Sequence, residues 1–265
     1  MTILDTIIEY KKEEVKARKA AIPVAQLEKT SFFARATYRP EEFLKDPSRT
    51  GIIAEFKRKS PSKGIINDQA DVVAVTGGYA DHGASCLSVL TDHYFFGGSN
   101  EDLVKARVHR IPVLRKEFII DEYQVIEAKS IGADLILLIA ACLSPKQVNQ
   151  LATLAHGLGM GVLLELHGEE ELGHICEKTE IVGINNRNLK TFSVDIERSL
   201  RMAERIPAGK IKVAESGISS PDTILRFREN GFDGFLIGEN FMKEADPTIA
   251  FARFVNQLKQ KQNEN

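Results

Sequence analysis

Two apolar rhythms divide the chain. Over residues 2–20, Ile3, Leu4, Ile7, Ile8 and Val15 recur near helical spacing among Lys and Glu, which predicts an amphipathic helix. Residues 21–50 are mixed, with Phe32, Phe33 and Phe43 as apolar anchors. Short apolar runs then begin near Gly51, Cys86, Pro112, Asp134, Gly161, Ile181, Ile211 and Gly234. The intervals range from 20 residues (Gly161 to Ile181) to 35 (Gly51 to Cys86). Each has room for one buried strand, one helix and two short loops. Three helices announce their ends. One spans residues 121–131 and stops at Gly132. One opens at Ser144-Pro145, with serine as N-cap and proline at the first helical position. One opens at Ser220-Pro221, runs through Ile224 and Phe227 and stops before Gly231.

Eight strand–helix units predict an α/β fold, a (β/α)8 barrel of the TIM type, as a single domain over residues 1–265. Residues 1–50 then form an N-terminal helical extension. Its helix is too short to bury an apolar stripe alone, so it is expected to lie over the C-terminal face of the strands. The competing architecture is a doubly wound open sheet. No Gly-x-Gly-x-x-Gly follows the first strand, which weakens that alternative.

In such a barrel, chemistry sits where the strands end. Residues 51–64 show the pattern first. The apolar run Ile52-Ile53-Ala54 meets Glu55 and Lys57, which share one face of a strand because they are two residues apart. Charges on the inner face of a buried strand are costly unless something uses them. A basic, hydroxyl-rich loop follows, Arg58 to Lys63 with Ser60 and Ser62, closed by Gly64. The bland reading of this stretch alone is a strand with a solvated basic end. Other strands end alike: Thr91-Asp92, then Phe95, Phe96, Gly97 and Gly98; Arg115-Lys116-Glu117-Phe118; Glu165; Asn185-Asn186-Arg187-Asn188; Glu215-Ser216-Gly217; Gly238-Glu239-Asn240. The fourth run, residues 135–139, ends in Ala140-Ala141 and supplies walls. Seven polar ends, each abutting a buried run, are hard to explain as solvated loop starts. The last two fit a phosphate site. There Ser216-Gly217 and Gly238-Glu239-Asn240 offer backbone N–H groups and a helix end, and Ser60 adds a hydroxyl. The competing reading is two ordinary turn glycines.

Charge and composition narrow the partners. The net charge is −2, from 35 basic and 37 acidic residues, so no global field favours nucleic acid or an anionic membrane. No apolar run approaches the roughly 20 residues of a membrane span. The N-terminus lacks a signal peptide's basic region and long apolar core. Three cysteines are too few and too scattered for a disulfide frame or a zinc site. Cys86 and Cys142 are expected as buried thiols in a reducing cytoplasm. His82, His93, His109, His156 and His174 show no ligand spacing. His167, two residues beyond Glu165, could face the loops, although a lone histidine there is more often structural.

These residues resemble the indole-3-glycerol-phosphate synthase family from about Ile52 to about Met242. The carrying stretches are Ile53-Ala-Glu-Phe-Lys-Arg-Lys-Ser-Pro-Ser62, Leu90-Thr-Asp, Tyr94-Phe-Phe-Gly-Gly-Ser99 and Leu114-Arg-Lys-Glu-Phe-Ile-Ile120. With them go Glu165-Leu-His167, Gly183-Ile-Asn-Asn-Arg-Asn-Leu189, Ala214-Glu-Ser-Gly217 and Leu236-Ile-Gly238. The first stretch and the Asn-Asn-Arg-Asn-Leu stretch are highly specific in combination. Two positions depart: Glu117 stands where the family more often has aspartate, and Asn240-Phe241 replaces a commoner serine-leucine.

The resemblance implies a carboxy-lyase of tryptophan biosynthesis. Its substrate would be 1-(2-carboxyphenylamino)-1-deoxyribulose 5-phosphate, closed to an indole with loss of CO2 and water. It implies no metal or organic cofactor. Lys116 would be the general acid and Glu165 the general base. Lys57 would bind the substrate carboxylate and could also donate a proton, and Glu55, Asn185 and Glu215 would orient these groups and the substrate. Arg187 would shape the site around the carboxylate. Ser60, Ser216, Gly217, Gly238, Glu239, Phe95 and Phe118 complete the expected substrate and phosphate contacts.

The chemistry asks for those types. A ketone oxygen must be protonated, a carboxylate held until it leaves, a hydroxyl expelled and a ring proton removed. Two lysines and one to three carboxylates suffice. A lysine among other cations in the barrel mouth would have its pKa lowered toward the working range. The runner-up enzyme is phosphoribosylanthranilate isomerase, which would want a cysteine–aspartate pair at the same face; no cysteine closes a strand there. A sugar-phosphate binder without turnover would not need both lysines and a base. The chain ends soon after the eighth unit, so no fused second enzyme is expected, and the protein is expected to be a monomer.

Overall fold

The computed structural model describes residues 2–187 and 193–264. Asn188 and Leu189 of the predicted polar end after the sixth strand lie outside the described residues. Eight parallel strands close into a barrel: β1 (Ile52–Phe56), β2 (Cys86–Leu90), β3 (Val113–Lys116), β4 (Leu135–Ile139), β5 (Gly161–Leu166), β6 (Ile181–Asn185), β7 (Ile211–Glu215) and β8 (Gly234–Ile237). β8 closes on β1 through Ile52–Phe235, Ile53–Leu236 and Ala54–Ile237. Each strand starts within one residue of its apolar run, because burial on both faces is what these runs encode.

The two faces are distinct. Ile52, Ala54, Phe56, Leu87, Val89, Val113, Val162 and Val182 face outward into the large core shared with the helices. Ile53, Cys86, Leu114, Leu137, Leu163, Ile181, Ile211, Val213 and Leu236 form a second cluster, which fills the barrel interior. Inward positions recur every second residue. Ile53 therefore leads up to Glu55 and Lys57, Leu114 to Lys116, Leu163 to Glu165 and His167, and Val213 to Glu215. A buried apolar floor carries a charged upper layer.

The helices start where their caps dictate. Ser144 and Gln147 form a capping box on Pro145–Gly157. Ser220 caps Pro221–Glu229, and Asp121 caps Glu122–Ser130, which ends before Gly132 at φ +93°. The basic loop after β1 folds into a small hairpin that pairs Lys59 with Ile65 and Ser60 with Gly64.

The N-terminal helix, Ile3–Ala21, opens with a Thr2–Asp5 capping box. Ile3, Leu4 and Ile7 join the wall of the cavity into which the strand ends point. Lys11 is 1% exposed, and its Nζ lies 2.9 Å from Asp92 Oδ2, 3.0 Å from Glu117 Oε1 and 2.8 Å from Glu14 Oε2. It ties the helix to the loops after β2 and β3. Lower on the barrel, the buried Asp134 carboxylate pairs with Arg107 and with Arg35 of the extension (2.6 Å). Cys86 is buried as expected, whereas Cys142 is only half-buried, at the turn after β4. Among the described residues, no helix is long and apolar enough to cross a membrane.

Candidate active site

A cavity of about 390 Å³ opens at the upper end of the barrel. Glu55, Lys57, Lys116, Glu165, His167, Asn185, Arg187 and Glu215 all reach it, from five different strands or the residues just after them. None could be brought there by local sequence; the closed barrel does it. Lys57 Nζ is 2.8 Å from Glu55 Oε1. Lys116 Nζ donates to Glu165 Oε2 at 3.1 Å and lies 3.9 Å from Glu215 Oε2. Asn185 Nδ2 donates to Glu165 Oε1 at 3.0 Å, and His167 Nε2 is 2.9 Å from the same oxygen. Glu165 is thus held from three sides.

The charges follow from this geometry. Burial opposes the charge on Lys116, but Glu165, Glu215 and Glu55 outweigh it and hold its pKa above the ordinary lysine value. This reverses the expectation of a lysine softened by neighbouring cations. Arg115, the cation beside it in sequence, points the other way, fully buried against Glu127, Asn100 and the Gln124 carbonyl. Burial would raise Glu165, yet Lys116, His167 and Asn185 pull it well below the usual carboxylate range. Glu215 goes the opposite way: burial, then the Glu165 charge, push it well above that range. Two carboxyls close together cannot both ionise cheaply, so one holds the proton.

Glycines make room for two of these carboxylates. A Cβ on Gly183 would meet Glu215 Oε1 at 2.1 Å, and one on Gly238 would meet Glu55 Oε1 at 2.7 Å. The sequence predicts that Gly238 admits an anion. Its missing side chain faces Glu55 instead, so the contact with an anion is left to the backbone. Gly217 has φ +70°, and its Cβ would meet Val194 at 2.4 Å. The residue before it, Ser216, holds φ +68° without being glycine. Its carbonyl accepts from the buried Asn186 side chain at 2.7 Å, which fixes the turn.

Strand order divides the cavity lining into a polar side, next to β7, β8 and β1, and an apolar side, next to β2, β3 and β4. Ser60, Ser62, Ser216, Gly217, Gly238, Glu239, Asn240 and Lys243 line the polar one. The Glu239 carboxylate turns to Lys63 (3.7 Å) and Arg187 (3.8 Å). Leu90, Phe96, Phe118, Leu137 and Ile139 line the apolar side, together with Ile3, Leu4 and Ile7. Phe95 does not take part. Asp92 Oδ1 accepts from the N–H groups of both Phe95 and Phe96, and the turn sends Phe95 against Tyr10 and Tyr94. Phe96 enters the cavity in its place, 5.8 Å from the Phe118 ring. Among the described residues, no cluster of three or more His, Cys, Asp or Glu could hold a metal ion.

Comparison with known proteins points one way. A profile of the family described as indole-3-glycerol phosphate synthase matches residues 4–254. An indole-3-glycerol phosphate synthase of Bacteroides thetaiotaomicron is 47% identical, covering 97% of this chain and 98% of that protein. The same enzyme of Laribacter hongkongensis is 45% identical, covering 94% and 97%. Among solved structures, a mutant tryptophan synthase alpha-subunit from Pyrococcus furiosus superposes with a TM-score of 0.60 at 16% identity, covering 80% of this chain and 99% of that one. That likeness speaks for the TIM-barrel fold alone. The chain belongs to the indole-3-glycerol phosphate synthase family, lyases of tryptophan biosynthesis that act on a small-molecule phosphate by decarboxylative ring closure.

Proposed function

We propose that the substrate is 1-(2-carboxyphenylamino)-1-deoxyribulose 5-phosphate, with its aromatic ring at the Phe96–Phe118 end and its phosphate at the Ser216–Asn240 end. The observation that carries this reading is the Lys116–Glu165 pair, an acid and a base 3.1 Å apart, in a cavity that both apolar and anion-ready residues line. The ring carbon bearing the carboxylate attacks the ketone carbon. Lys116 gives a proton to the ketone oxygen, which becomes a hydroxyl. Lys57 pairs with the carboxylate until it leaves as CO2, returning its electron pair to the ring. The Lys57 ammonium, then released, donates a proton so that the hydroxyl departs as water. Glu165 accepts the proton that must leave the carbon beside nitrogen to complete the indole. Glu55 holds Lys57, and Asn185 and Glu215 hold the Glu165–Lys116 pair.

At the phosphate end, Ser60, Lys243 and the backbone of the Ser216-Gly217 and Gly238-Glu239 turns are the proposed contacts; Arg187, expected around the carboxylate, lies beside them instead, 3.8 Å from Glu239. Glu239 contributes backbone only; its carboxylate is turned to Lys63 and Arg187. Residues 1–50 belong to the same domain, because Ile3, Leu4 and Ile7 wall the site. Three free cysteines support a cytoplasmic setting. Incubation with the substrate should produce indole fluorescence and release CO2. Absence of both, with the protein folded, would refute the reading.

A further inference from the structure

The residue that continues the inward face of β5 beyond Glu165 is His167, and the reaction scheme above leaves it without a part. Its ring is 11% exposed and lines the same cavity. Nε2 lies 2.9 Å from Glu165 Oε1, the oxygen that Asn185 also holds, while Lys116 takes Oε2. The imidazole is itself fixed. The Glu171 carboxylate accepts the His167 backbone N–H at 2.6 Å, and its Oε2 is 3.9 Å from Nδ1. The charged groups around the ring are Glu165 on β5, Glu171 on the turn after it and Lys116 on β3. The half-buried Cys142 after β4 feels the same two carboxylates and Asp5 of the N-terminal helix, and its thiol is pushed up to about 12, chiefly by burial.

We propose that His167 is a positioning residue for the base: its ring donates to Glu165 Oε1 and orients the carboxylate, and the charge on the ring governs how readily that carboxylate takes a proton. A protonated ring beside Glu165 stabilises the carboxylate and makes it a weaker base. A neutral ring with its proton on Nε2 still donates, but leaves the carboxylate more basic. Burial works against the ring's charge, yet Glu165 and Glu171 outweigh it and raise the His167 pKa above the ordinary imidazole value. The ring-proton step should therefore quicken as pH rises through the His167 ionisation.

The inference rests on Glu165 being the base, and the test separates the two. His167→Leu removes the donor; its single-turnover rate should fall about tenfold or more, the scale of a hydrogen bond to a charged group, with KM changing far less. His167→Gln keeps a donor without the charge. Its rate should recover toward wild type, and the rise with pH should be gone. A wild-type rate in His167→Leu, or a wild-type pH profile in His167→Gln, would overturn the proposal. If His167→Leu does not fold, the His167→Gln profile decides, together with an NMR titration of the His167 ring. That ionisation should move down in Glu165→Gln, and an unmoved one would contradict the contact. Turnover retained in Glu165→Gln would sink the base itself. An inactive Glu165→Gln beside unaffected His167 variants would sink this inference alone.

Discussion

Lys116 Nζ and Glu165 Oε2 form an ion pair across the barrel mouth, 3.1 Å apart, from strands β3 and β5 that do not touch in the sheet. Each sets the other's charge: the carboxylates keep Lys116 protonated and the lysine keeps Glu165 ionised, the states from which an acid gives and a base takes a proton. Lys116→Met should lower the single-turnover rate by about 10² to 10⁴, the usual range for an acid–base group, with substrate binding largely kept. It should also raise the Glu165 pKa, since a cation is lost while Glu215 remains. The pH–rate profile of the residual activity should shift upward accordingly.

Lys57 has a different partner and a different expected signature. It pairs with Glu55 at 2.8 Å and is proposed to hold the substrate carboxylate, an interaction present before and during reaction. Lys57→Met should therefore raise KM as well as slow turnover, whereas Lys116→Met should act mainly on the rate. Rapid-quench analysis should show the decarboxylated, still hydroxylated intermediate building up in Lys57→Met and not in Lys116→Met. Loss of the same step by the same factor in both variants would contradict the division of labour.

How much of this was legible in the sequence depends on how each feature is encoded. The strands were readable because buried apolar runs are local signals, and the upper charges because they interrupt those runs. The two-residue period also pointed inward past Glu165 to His167, which a search for metal-ligand spacing passes over. Phe95 and Phe96 could not be told apart, because the choice is made by a turn that Asp92 folds with two backbone N–H groups. The sense of the Lys116 shift was out of reach as well. Its sequence neighbour Arg115 faces the opposite side of the strand, and the three carboxylates that matter arrive from β1, β5 and β7. Gly183 gave no signal, because the atom it accommodates belongs to Glu215, on the neighbouring strand.

Gly183 yields a sharp test. Gly183→Ala would drive a methyl group into the Glu215 carboxyl, 2.1 Å away, and should cut turnover severely, because Glu215 backs the Lys116–Glu165 pair. Gly173 lies outside the site and needs no positive φ, and a Cβ there would meet no atom within 4 Å. Gly173→Ala should leave kcat and KM unchanged, and circular dichroism melts of both variants would separate misfolding from loss of function.

The N-terminal helix should prove both structural and functional. Lys11→Met leaves Asp92 and Glu117 buried without their cation, at a cost of about 3 to 5 kcal/mol for a broken buried pair. In the intact protein, burial would raise Glu117, but Lys11, Arg115 and Thr91 hold it below the ordinary value. Its stability contribution is therefore present above the unfolded carboxylate pKa and lost as pH falls through the lower folded one. Without Lys11 the folded Glu117 pKa rises, so less of the variant's stability is lost on acidification and the gap between wild type and variant should narrow as pH falls toward the carboxylate range. Thermal melts across pH would show it. Deletion of residues 1–40 should raise KM as well as destabilise, since Ile3, Leu4 and Ile7 leave the cavity wall.

The central claim is that Lys116 and Glu165 are the acid and base of the ring closure. The chain contains no tryptophan, so indole formation can be followed by fluorescence against a low background. The decisive measurement is the single-turnover rate of indole appearance in wild type, Lys116→Met and Glu165→Gln, each saturated with substrate. The account predicts that both variants bind the substrate and form indole slower by about 10² or more. Either variant forming indole at close to the wild-type rate would contradict it.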